Sequence, residues 1–450
     1  MPRFWCELAW VDDAVAAGVL VETDGGVITA VVAGADAPPD AVRLAGLVVP
    51  GMANAHSHAF HRALRGHVQA GSGSFWTWRD DMYALASVLT PESYRDLATA
   101  VYGEMLLAGV TAVGEFHYLH HAPGGASYPD PNAMGIALAR AASTAGVRLS
   151  LLDTCYLAGG IGVAPNEVQR RFSDGSASAW AARVELLGDG TALEGDTVVG
   201  AAIHSVRAVP RDEMREVVEF ATRRSMPLHA HVSEQTAEND QCLSAHGLTP
   251  VQLLAEEGAL GPDFTAVHAT HLTDDDIALL GSHRCVVCMC PTTERDLADG
   301  IGPAARLAAA GARLSLGSDS HAVIDLFEEA RAVELDERLA TNVRGNHRAA
   351  DLLRAATVDG HACIGRPSAG RLAVGAPADL VAVSLSSVRT AGATPLTALE
   401  SVVFAASAAD VTTVVVGGEV LVEGGRHLRF DVASALAESI GAVREAAGGS

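Results

Sequence analysis

Short apolar runs alternate with helix-type segments through the middle of the chain. Eight such runs occur in order: LVVPGMANAH, VTAVGEF, VRLSLLD, VVGAAIH, MPLHAHV, FTAVHAT, RCVVCMC and RLSLGSD. A typical segment between them is PESYRDLATAVYGEMLLAG, in which Pro91 comes early and Gly109 lies just past the helical pattern. Strands that alternate with helices in this way form parallel sheets. The pattern therefore predicts an α/β fold, specifically a (β/α)8 barrel.

Both ends of the chain have a different, β-rich pattern. Near the N-terminus, GVLVETDGGVITAVVAG has a turn at Asp24-Gly25-Gly26 between alternating runs, which predicts a β-hairpin. A similar pattern returns near the C-terminus in RLAVGAPADLVAVSL and VTTVVVGGEVLVEGG. We therefore predict that residues 1–49 and 366–450 form one composite β-sandwich domain, and that residues 50–365 form the barrel.

Composition limits the possible partners. The chain has 450 residues, of which 49% are hydrophobic, and its formal net charge is −23. Such an acidic balance disfavours binding to nucleic acid or to an anionic membrane surface. Asp12 and Asp13 interrupt the apolar start, and no apolar run is long enough to span a bilayer. We expect a cytoplasmic protein that acts on a small molecule, without nucleic-acid or membrane partners.

The basic residues and the cysteines give two further clues. All 31 basic residues are arginine, so the chain contains no lysine. The seven cysteines are an odd number on a long chain without a secretory signal, which argues against a disulfide framework. Cys285, Cys288 and Cys290 lie close together in RCVVCMCP, and we predict that they fill a buried strand rather than bind a metal.

Histidine and carboxylate residues occur where the apolar runs end. His56 and His58 are two positions apart, so an extended strand directs both to the same side. His231, His268 and Asp319 follow later runs. The carboxyl ends of barrel strands meet on one face, and nitrogen and carboxylate ligands suit zinc or a similar ion. An HxH pair alone is a weak signal, but this ordered combination predicts a metal site.

Several neighbouring residues allow a structural or a functional interpretation. His229 is either a site residue or a packed one, and His321 either joins the site or caps the last loop. Glu234 is either a proton shuttle or a carboxylate at a helix start. Arg79 is either an ordinary surface residue or a residue that binds a substrate carboxylate. Arg207 either forms a structural ion pair or binds a second substrate carboxylate.

The motifs HSH, HAHVSE, VHATH and SDSH resemble the amidohydrolase superfamily, in particular its mononuclear deaminase branch. The resemblance implies one divalent metal ion, with Zn²⁺ as the first choice, bound by His56, His58, His231 and Asp319. Other branches hold two metals with a carboxylated lysine, which a chain without lysine cannot supply. A single ion is therefore favoured.

A narrower resemblance rests on AHSHAFHRALRG, SFWTWRDDMY, GEFHYLHH, HSVR and CPTTERDLADG, and it covers nearly the whole chain. These segments are similar to the formimidoylglutamate deiminase family of bacterial histidine degradation. The resemblance implies hydrolysis of the formimino group of N-formimino-L-glutamate, giving N-formyl-L-glutamate and ammonia, in a homodimer. Its implied catalytic residues are Glu234, His268 and Asp319. The implied residues that bind the dicarboxylate substrate are His61, Arg79, Tyr118, His204 and Arg207.

Two alternatives stay open at this stage. The family often has glutamine where this chain has His61, so the substrate contact at that position is open. A deaminase of the same superfamily that acts on a purine or triazine ring would share the metal motifs and differ in its pocket. A barrel that only binds a ligand, without catalysis, would keep the fold but would not need all of the candidate proton-transfer residues.

Overall fold

The computed structural model describes residues 2–69, 75–188 and 193–448. Ser74 and the side chain of Trp76, both in the SFWTWRDDMY motif, lie outside the described part. The strands in chain order are β1 Arg3–Val11, β2 Ala14–Asp24, β3 Val27–Val32, β4 Val42–Pro50, β5 Met52–Ser57, β6 Val110–His117, β7 Arg148–Cys155, β8 Thr197–Ile203, β9 Leu228–Val232, β10 Phe264–His268, β11 Val286–Met289, β12 Arg313–Leu316, β13 Leu380–Val383, β14 Val411–Val416, β15 Glu419–Glu423 and β16 Arg426–His427.

Helices follow most of the strands. They are α1 Phe75–Val88, α2 Pro91–Leu107, α3 Ala133–Ala145, α4 Ala177–Gly188, α5 Arg211–Arg223, α6 Thr236–His246, α7 Pro250–Glu256, α8 Asp274–Ser282, α9 Pro291–Asp296, α10 Ala304–Ala310, α11 Leu326–Thr341, α12 Ala349–Ala356, α13 Val358–Cys363, α14 Ala398–Ala405 and α15 Val432–Ala446. Within the described ranges, none of these helices has the length and apolar character needed to cross a bilayer.

The eight strands β5–β12 form a parallel sheet in sequence order. The first and last strands meet at the rim, where Ser57 and Asp319 form an isolated parallel bridge. There the Asp319 amide donates to the His56 carbonyl at 3.0 Å, and the His58 amide donates to the Asp319 carbonyl at 3.3 Å. These contacts bring the two edges of the sheet together, so the predicted (β/α)8 barrel is confirmed.

The first apolar run of the sequence divides between two sheets. β4 ends at Pro50, β5 begins at Met52, and Gly51 joins them. A Cβ at Gly51 would come within 2.2 Å of Thr111 Oγ1 on β6, so only glycine lets this connection lie so close to β6. The run is therefore both the last strand of the N-terminal segment and the first strand of the barrel.

The two ends of the chain pair with each other in a mixed sheet of order β16-β15-β14-β13-β4-β1-β2-β3. Its seam is the antiparallel pairing of β4 with β13, in which Val48 lies opposite Ala382. Phe4, Val21 and Leu380 belong to one buried apolar cluster that draws on both ends of the chain. The predicted composite β domain is thus confirmed, and its exact boundaries at residues 49 and 366 stay a prediction.

Local sequence signals explain individual elements well. In α2, the Thr90 side chain accepts from the Ser93 amide, the Ser93 side chain accepts from the Thr90 amide, and Pro91 occupies the first turn. The predicted hairpin joins β2 to β3, with Gly25 and Gly26 at φ values of 56° and 82°. All seven cysteines are buried, and none of them forms a disulfide, so the three cysteines of the RCVVCMCP run are buried as predicted.

Candidate active site

Four side chains meet at the rim where the barrel closes. His56 and His58 come from the end of β5, His231 from β9, and Asp319 from the segment after β12. Their ligand atoms all lie within 4.8 Å of one another. His56 Nε2 is 3.1 Å from His231 Nε2 and 3.3 Å from Asp319 Oδ1, and His58 Nε2 is 3.4 Å from the same Asp319 oxygen. Distant parts of the chain thus supply three imidazoles and one carboxylate to a common centre.

Backbone carbonyls orient two of these imidazoles. His58 Nδ1 is 2.9 Å from the Phe116 carbonyl oxygen, and His231 Nδ1 is 2.9 Å from the His204 carbonyl oxygen. A carbonyl accepts only, so each Nδ1 carries the proton and each Nε2 directs a lone pair to the common centre. This second layer of contacts is typical of histidine residues that bind a metal.

The protonation states also suit a metal ion. Burial, and then the charge of His56, lower the pKa of His58 to about 3. Burial likewise lowers the pKa of His231 well below its ordinary value. Burial alone would raise the pKa of Asp319, but the hydrogen bond to His56 and the charges of the surrounding imidazoles bring it well below the ordinary value. Neutral nitrogen donors beside one anionic oxygen are the donor set expected for zinc or a similar divalent ion.

His268 and Glu234 lie next to the four-residue cluster. His268 Nε2 is 3.7 Å from Asp319 Oδ2 and 3.7 Å from Glu234 Oε1, while His268 Nδ1 is 3.4 Å from Glu294 Oε1. Burial raises the pKa of Glu234. Burial alone would lower the pKa of His268, but the Glu234 charge and the Glu294 hydrogen bond raise it well above its ordinary value. The pair can therefore hold and exchange a proton beside the cluster.

Arg207 connects this pair to a buried carboxylate. Its Nε donates to Glu238 Oε2 at 3.1 Å, and its Nη2 is 3.7 Å from Glu234 Oε2. Glu238 also accepts from the Ser233 amide at 3.2 Å, which ties the start of α6 to the end of β9. Arg207 thus has an ion-pair contact of the structural type and also lines the candidate active site.

A cavity of about 660 Å³ opens next to the cluster. Its walls include the five predicted substrate residues, His61, Arg79, Tyr118, His204 and Arg207. His61 Nε2 is 2.9 Å from Tyr118 Oη, and the His204 ring lies edge-on to the Tyr118 ring with centroids 5.4 Å apart. The Arg79 guanidinium carbon lies 5.5 Å from the centre of the Tyr83 ring. The structure therefore brings the predicted metal, proton-transfer and substrate residues to one cavity.

Sequence reasoning missed several residues around this cavity. Tyr83, Tyr156, Gln169, Glu238 and Glu294 all contact residues of the site or line the cavity. Tyr156 directly follows β7, so the strand-end rule that found the histidines also applies to it. The other four lie on helices or connecting segments, where no strand-end signal exists.

Two histidines take the structural role that the sequence had left open. His229 Nε2 is 2.9 Å from the Cys363 carbonyl oxygen, and His229 is not among the four clustered ligands. His321 lies between two serine hydroxyls, with Nε2 3.1 Å from Ser57 Oγ and Nδ1 2.9 Å from Ser318 Oγ. Through these two contacts, His321 connects the loop after β12 to the end of β5.

A second group of metal-type ligands, His117, His120 and Asp153, lies at the ends of β6 and β7. Both Asp153 oxygens already accept from the Arg183 guanidinium, at 2.8 and 2.9 Å. The Trp180 indole nitrogen also donates to Asp153 Oδ1 at 2.9 Å. A cation there would face the guanidinium charge, so this group is a buried structural network.

The sequence matches the Amidohydrolase family over residues 47–421, which span both the barrel and the strands that follow it. The chain belongs to the amidohydrolase family. Within that family, it is 39% identical over 398 residues to the formimidoylglutamate deiminase of Pseudomonas aeruginosa, which covers 86% of this chain and 87% of that protein. The predicted family is thereby confirmed.

Solved structures of amidohydrolase-family proteins agree with this fold. An amidohydrolase from Brucella melitensis has a TM-score of 0.90 and 34% identity, covering 98% of this chain and 100% of its own. An adenosine deaminase from Xanthomonas campestris with bound zinc has a TM-score of 0.84 and 25% identity, covering 99% and 98%. The chain is therefore an amidohydrolase-family deaminase, a hydrolase that acts on C–N bonds of a small molecule.

Proposed function

We propose that this enzyme hydrolyses the formimino group of N-formimino-L-glutamate to N-formyl-L-glutamate and ammonia. One observation carries the proposal: Arg79 and Arg207 line the same cavity as the His/Asp cluster. A guanidinium binds a carboxylate through two parallel hydrogen bonds, so two arginines suit a substrate with two carboxylates. The identity to the Pseudomonas aeruginosa enzyme supports the same substrate.

We infer that His56, His58, His231 and Asp319 hold a single ion. Zinc fits their nitrogen and oxygen donors, and the similar adenosine deaminase structure is described with bound zinc. Bound there, a divalent ion would lower the pKa of water toward neutrality and so provide a nucleophile at ordinary pH.

The proton transfers are assigned to His268 and Glu234. His268 Nε2 is assigned to take the proton of the attacking water and pass it to Glu234 Oε1, which is 3.7 Å away; a divalent ion at the neighbouring ligands would oppose the carboxylate charges that otherwise raise the pKa of His268. Glu234 is assigned to deliver a proton to the amidine nitrogen, because burial raises its pKa and its Oε1 lies 3.7 Å from His268 Nε2, with which it can exchange a proton. The hydroxyl proton of the adduct then reaches the same nitrogen, and the carbon–nitrogen bond breaks with its electron pair passing to that nitrogen. Ammonia and the formyl product leave, and the proton held by His268 returns to Glu234. Asp319 orients the water through its second oxygen.

The assay for this proposal is ammonia release from formiminoglutamate, compared with guanine and adenosine. We expect turnover of formiminoglutamate and little or none of the two purines. The purines are the relevant comparison because a solved relative is an adenosine deaminase and because Tyr118, Tyr156 and Phe172 line the cavity. Turnover of a purine without turnover of formiminoglutamate would replace the proposal with a ring deaminase.

Arginine variants test the substrate pocket separately from the metal. We expect Arg79→Met and Arg207→Met each to raise KM for formiminoglutamate by about tenfold or more, since each loses a charged contact to a carboxylate. Zinc content should stay at the wild-type level in both. Arg140→Met is the matched control, because Arg140 lies on the surface with a side chain that is 53% exposed. Unchanged KM in both pocket variants would contradict the assignment of the two arginines.

A further inference from the structure

Gln169 has one fixed orientation beside the cavity. The backbone N–H of Asn166 donates to Gln169 Oε1 at 2.9 Å, and the backbone N–H of Gln169 donates to Asn166 Oδ1 at 2.9 Å. A backbone N–H only donates, so the oxygen of the Gln169 side chain must face Asn166. Its NH2 group therefore faces the opposite direction, toward the cavity wall.

That NH2 group holds two tyrosine hydroxyls. Gln169 Nε2 donates to Tyr83 Oη at 3.0 Å and to Tyr156 Oη at 2.8 Å. Gln169 and Tyr156 are buried, with exposed fractions of 3% and 6%. Both phenol oxygens therefore act as acceptors toward Gln169, and each hydroxyl hydrogen must be directed to another partner.

Tyr83 and Tyr156 share this donor, and both line the cavity. Because Gln169 donates to the Tyr83 oxygen, that oxygen is held in place and the Tyr83 hydroxyl hydrogen is directed elsewhere. The geometry therefore allows the Tyr83 hydroxyl to donate into the cavity that Tyr83 lines.

Tyr83 is also next to a cation. Arg79 and Tyr83 are four residues apart on α1, so they share one face of that helix. The Arg79 guanidinium carbon is 5.5 Å from the centre of the Tyr83 ring, and both residues line the cavity. A hydroxyl donor and a guanidinium on the same helix face are together suited to one carboxylate.

We propose that Tyr83 is a specificity-determining residue whose hydroxyl donates to the substrate carboxylate bound at Arg79. Gln169 and Tyr156 are positioning residues that act through Tyr83, because Gln169 donates to the Tyr83 oxygen and Tyr156 holds the same NH2 group in place. This inference rests on the proposed function, since it concerns one carboxylate of formiminoglutamate. The alternative is that the three residues only pack α1 against the segment that contains Gln169.

Substrate analogues that each lack one carboxylate separate these possibilities. N-formimino-4-aminobutyrate lacks the α-carboxylate, and N-formimino-L-2-aminobutyrate lacks the side-chain carboxylate. With formiminoglutamate, we expect Tyr83→Phe to raise KM about tenfold with a smaller change in kcat, as for loss of a hydrogen bond to a charged group. With one of the two analogues, the same variant should behave like the wild type, because the carboxylate that received the hydrogen bond is missing.

Two further variants complete the test. Tyr156→Phe should raise KM for formiminoglutamate in the same direction but by less, and its effect should vanish on the same analogue. Tyr128→Phe is the matched control, because Tyr128 contacts Arg171 at 3.5 Å and does not line the cavity. An equal effect of Tyr83→Phe on formiminoglutamate and on both analogues would show a packing role and overturn the inference, as would no effect at all. If the wild type does not turn over formiminoglutamate, the proposed function fails first, and the inference fails with it.

Discussion

Two residues of the site hold backbone conformations that side chains disfavour. His268 and Asp319 have φ values of 68° and 41°, and Ser233, next to Glu234, has 51°. Left-handed conformations of non-glycine residues cost on the order of 1 kcal/mol or more each, and they persist where the surrounding structure enforces them. Backbone hydrogen bonds hold two of these residues: the Asp319 amide donates to the His56 carbonyl, and the His271 amide donates to the Ser233 carbonyl. Backbone strain at the active site indicates that the direction of these side chains matters more there than stability.

At the scale of single residues, Glu234 offers a direct test of the proton-transfer scheme. We expect Glu234→Gln to lower kcat by about 10²- to 10⁴-fold, the usual contribution of a general acid, because the amide cannot deliver a proton. Metal content should not change, since Glu234 is not among the four clustered ligands. Glu256→Gln, at a side chain that is 51% exposed, is the control and should keep wild-type kcat. Retention of kcat in the Glu234 variant would remove this residue from the scheme.

Removal of the metal is a second test at this scale. Dialysis against a strong chelator should abolish ammonia release, and added Zn²⁺ should restore it. Elemental analysis should find one ion per chain, and Asp319→Asn should bind less, because the amide oxygen carries no charge. Two ions per chain, or full activity of the chelated protein, would contradict the proposed single-ion site.

The sequence could predict these residues because of where they lie. His56, His231, His268 and Asp319 each mark the end of a barrel strand, and a parallel barrel brings those ends together whatever the loops do. The helix residue Tyr83 and the loop residue Gln169 reach the cavity only through tertiary packing. No local pattern distinguishes them from ordinary core residues, so sequence reasoning could not find them.

At the scale of elements, a buried ion-pair network joins α4 to β7. Arg183 on α4 contacts Asp153 at 2.8 Å and Asp174 at 2.9 Å, and Trp180 donates to Asp153. Burial alone would raise the pKa of Asp153, but the charge of Arg183 and then that of His120 bring it down to about 2. The folded state therefore holds this carboxylate ionised at pH values where the unfolded chain is already protonated.

The sign of the resulting pH dependence follows from that lowered pKa. The stabilisation is present above the ordinary value near 3.8 and is lost as the pH falls toward about 2. We expect Asp153→Asn to lower the free energy of unfolding at pH 7 by about 3 kcal/mol, because it leaves the Arg183 charge with less compensation. The difference between variant and wild type in urea unfolding should shrink as the pH falls from 4 to 2. Asp40→Asn, at a side chain that is 65% exposed, should show neither effect. A constant difference across that pH range would contradict the role of the ionised carboxylate.

Elements differ in how well the sequence predicts them. The glycine turn between β2 and β3, and the capped start of α2, depend on a few neighbouring residues and were predictable. The β-rich run RLAVGAPADLVAVSL forms a strand only over Leu380–Val383. The earlier part of that run contributes Leu372 and Ala378 to the apolar cluster and meets β3 at the isolated Val27–Pro377 bridge. An apolar residue in the sequence indicates burial. Whether a buried residue lies in a strand depends on whether a neighbouring strand pairs with its backbone.

At the scale of the whole molecule, the two ends of the chain depend on each other at the β4–β13 seam. Gly46 lies there with φ 81°, and a Cβ at this position would come within 2.1 Å of the Val383 carbonyl oxygen. Both the backbone angle and the space require glycine. The Glu7 carboxylate accepts from the Gly46 amide at 2.8 Å, which joins β1 to the same point.

Gly46→Ala should therefore destabilise the protein by more than its backbone angle alone explains. Gly34→Ala is the matched control, because Gly34 has φ 70° and no atom within 4 Å of an added Cβ. We expect about 1 kcal/mol of destabilisation for Gly34→Ala and clearly more for Gly46→Ala, measured by urea unfolding. Equal losses of stability would mean that the β4–β13 seam can shift without cost.

The homodimer stays a prediction, and light scattering of the purified protein would decide it.

The rim where the barrel closes has a consequence for assembly as well as for chemistry. Asn54 Nδ2 donates to Ser318 Oγ at 2.7 Å, and Ser318 donates its amide back to Asn54 Oδ1 at 2.9 Å, between partners 264 residues apart in the sequence. Of the four clustered ligands, His56 lies at the end of the first barrel strand and Asp319 follows the last one. A cation bound between them would link the two edges of the barrel, and its binding free energy would stabilise the closed barrel. Loss of the ion should loosen the barrel first where its first and last strands meet.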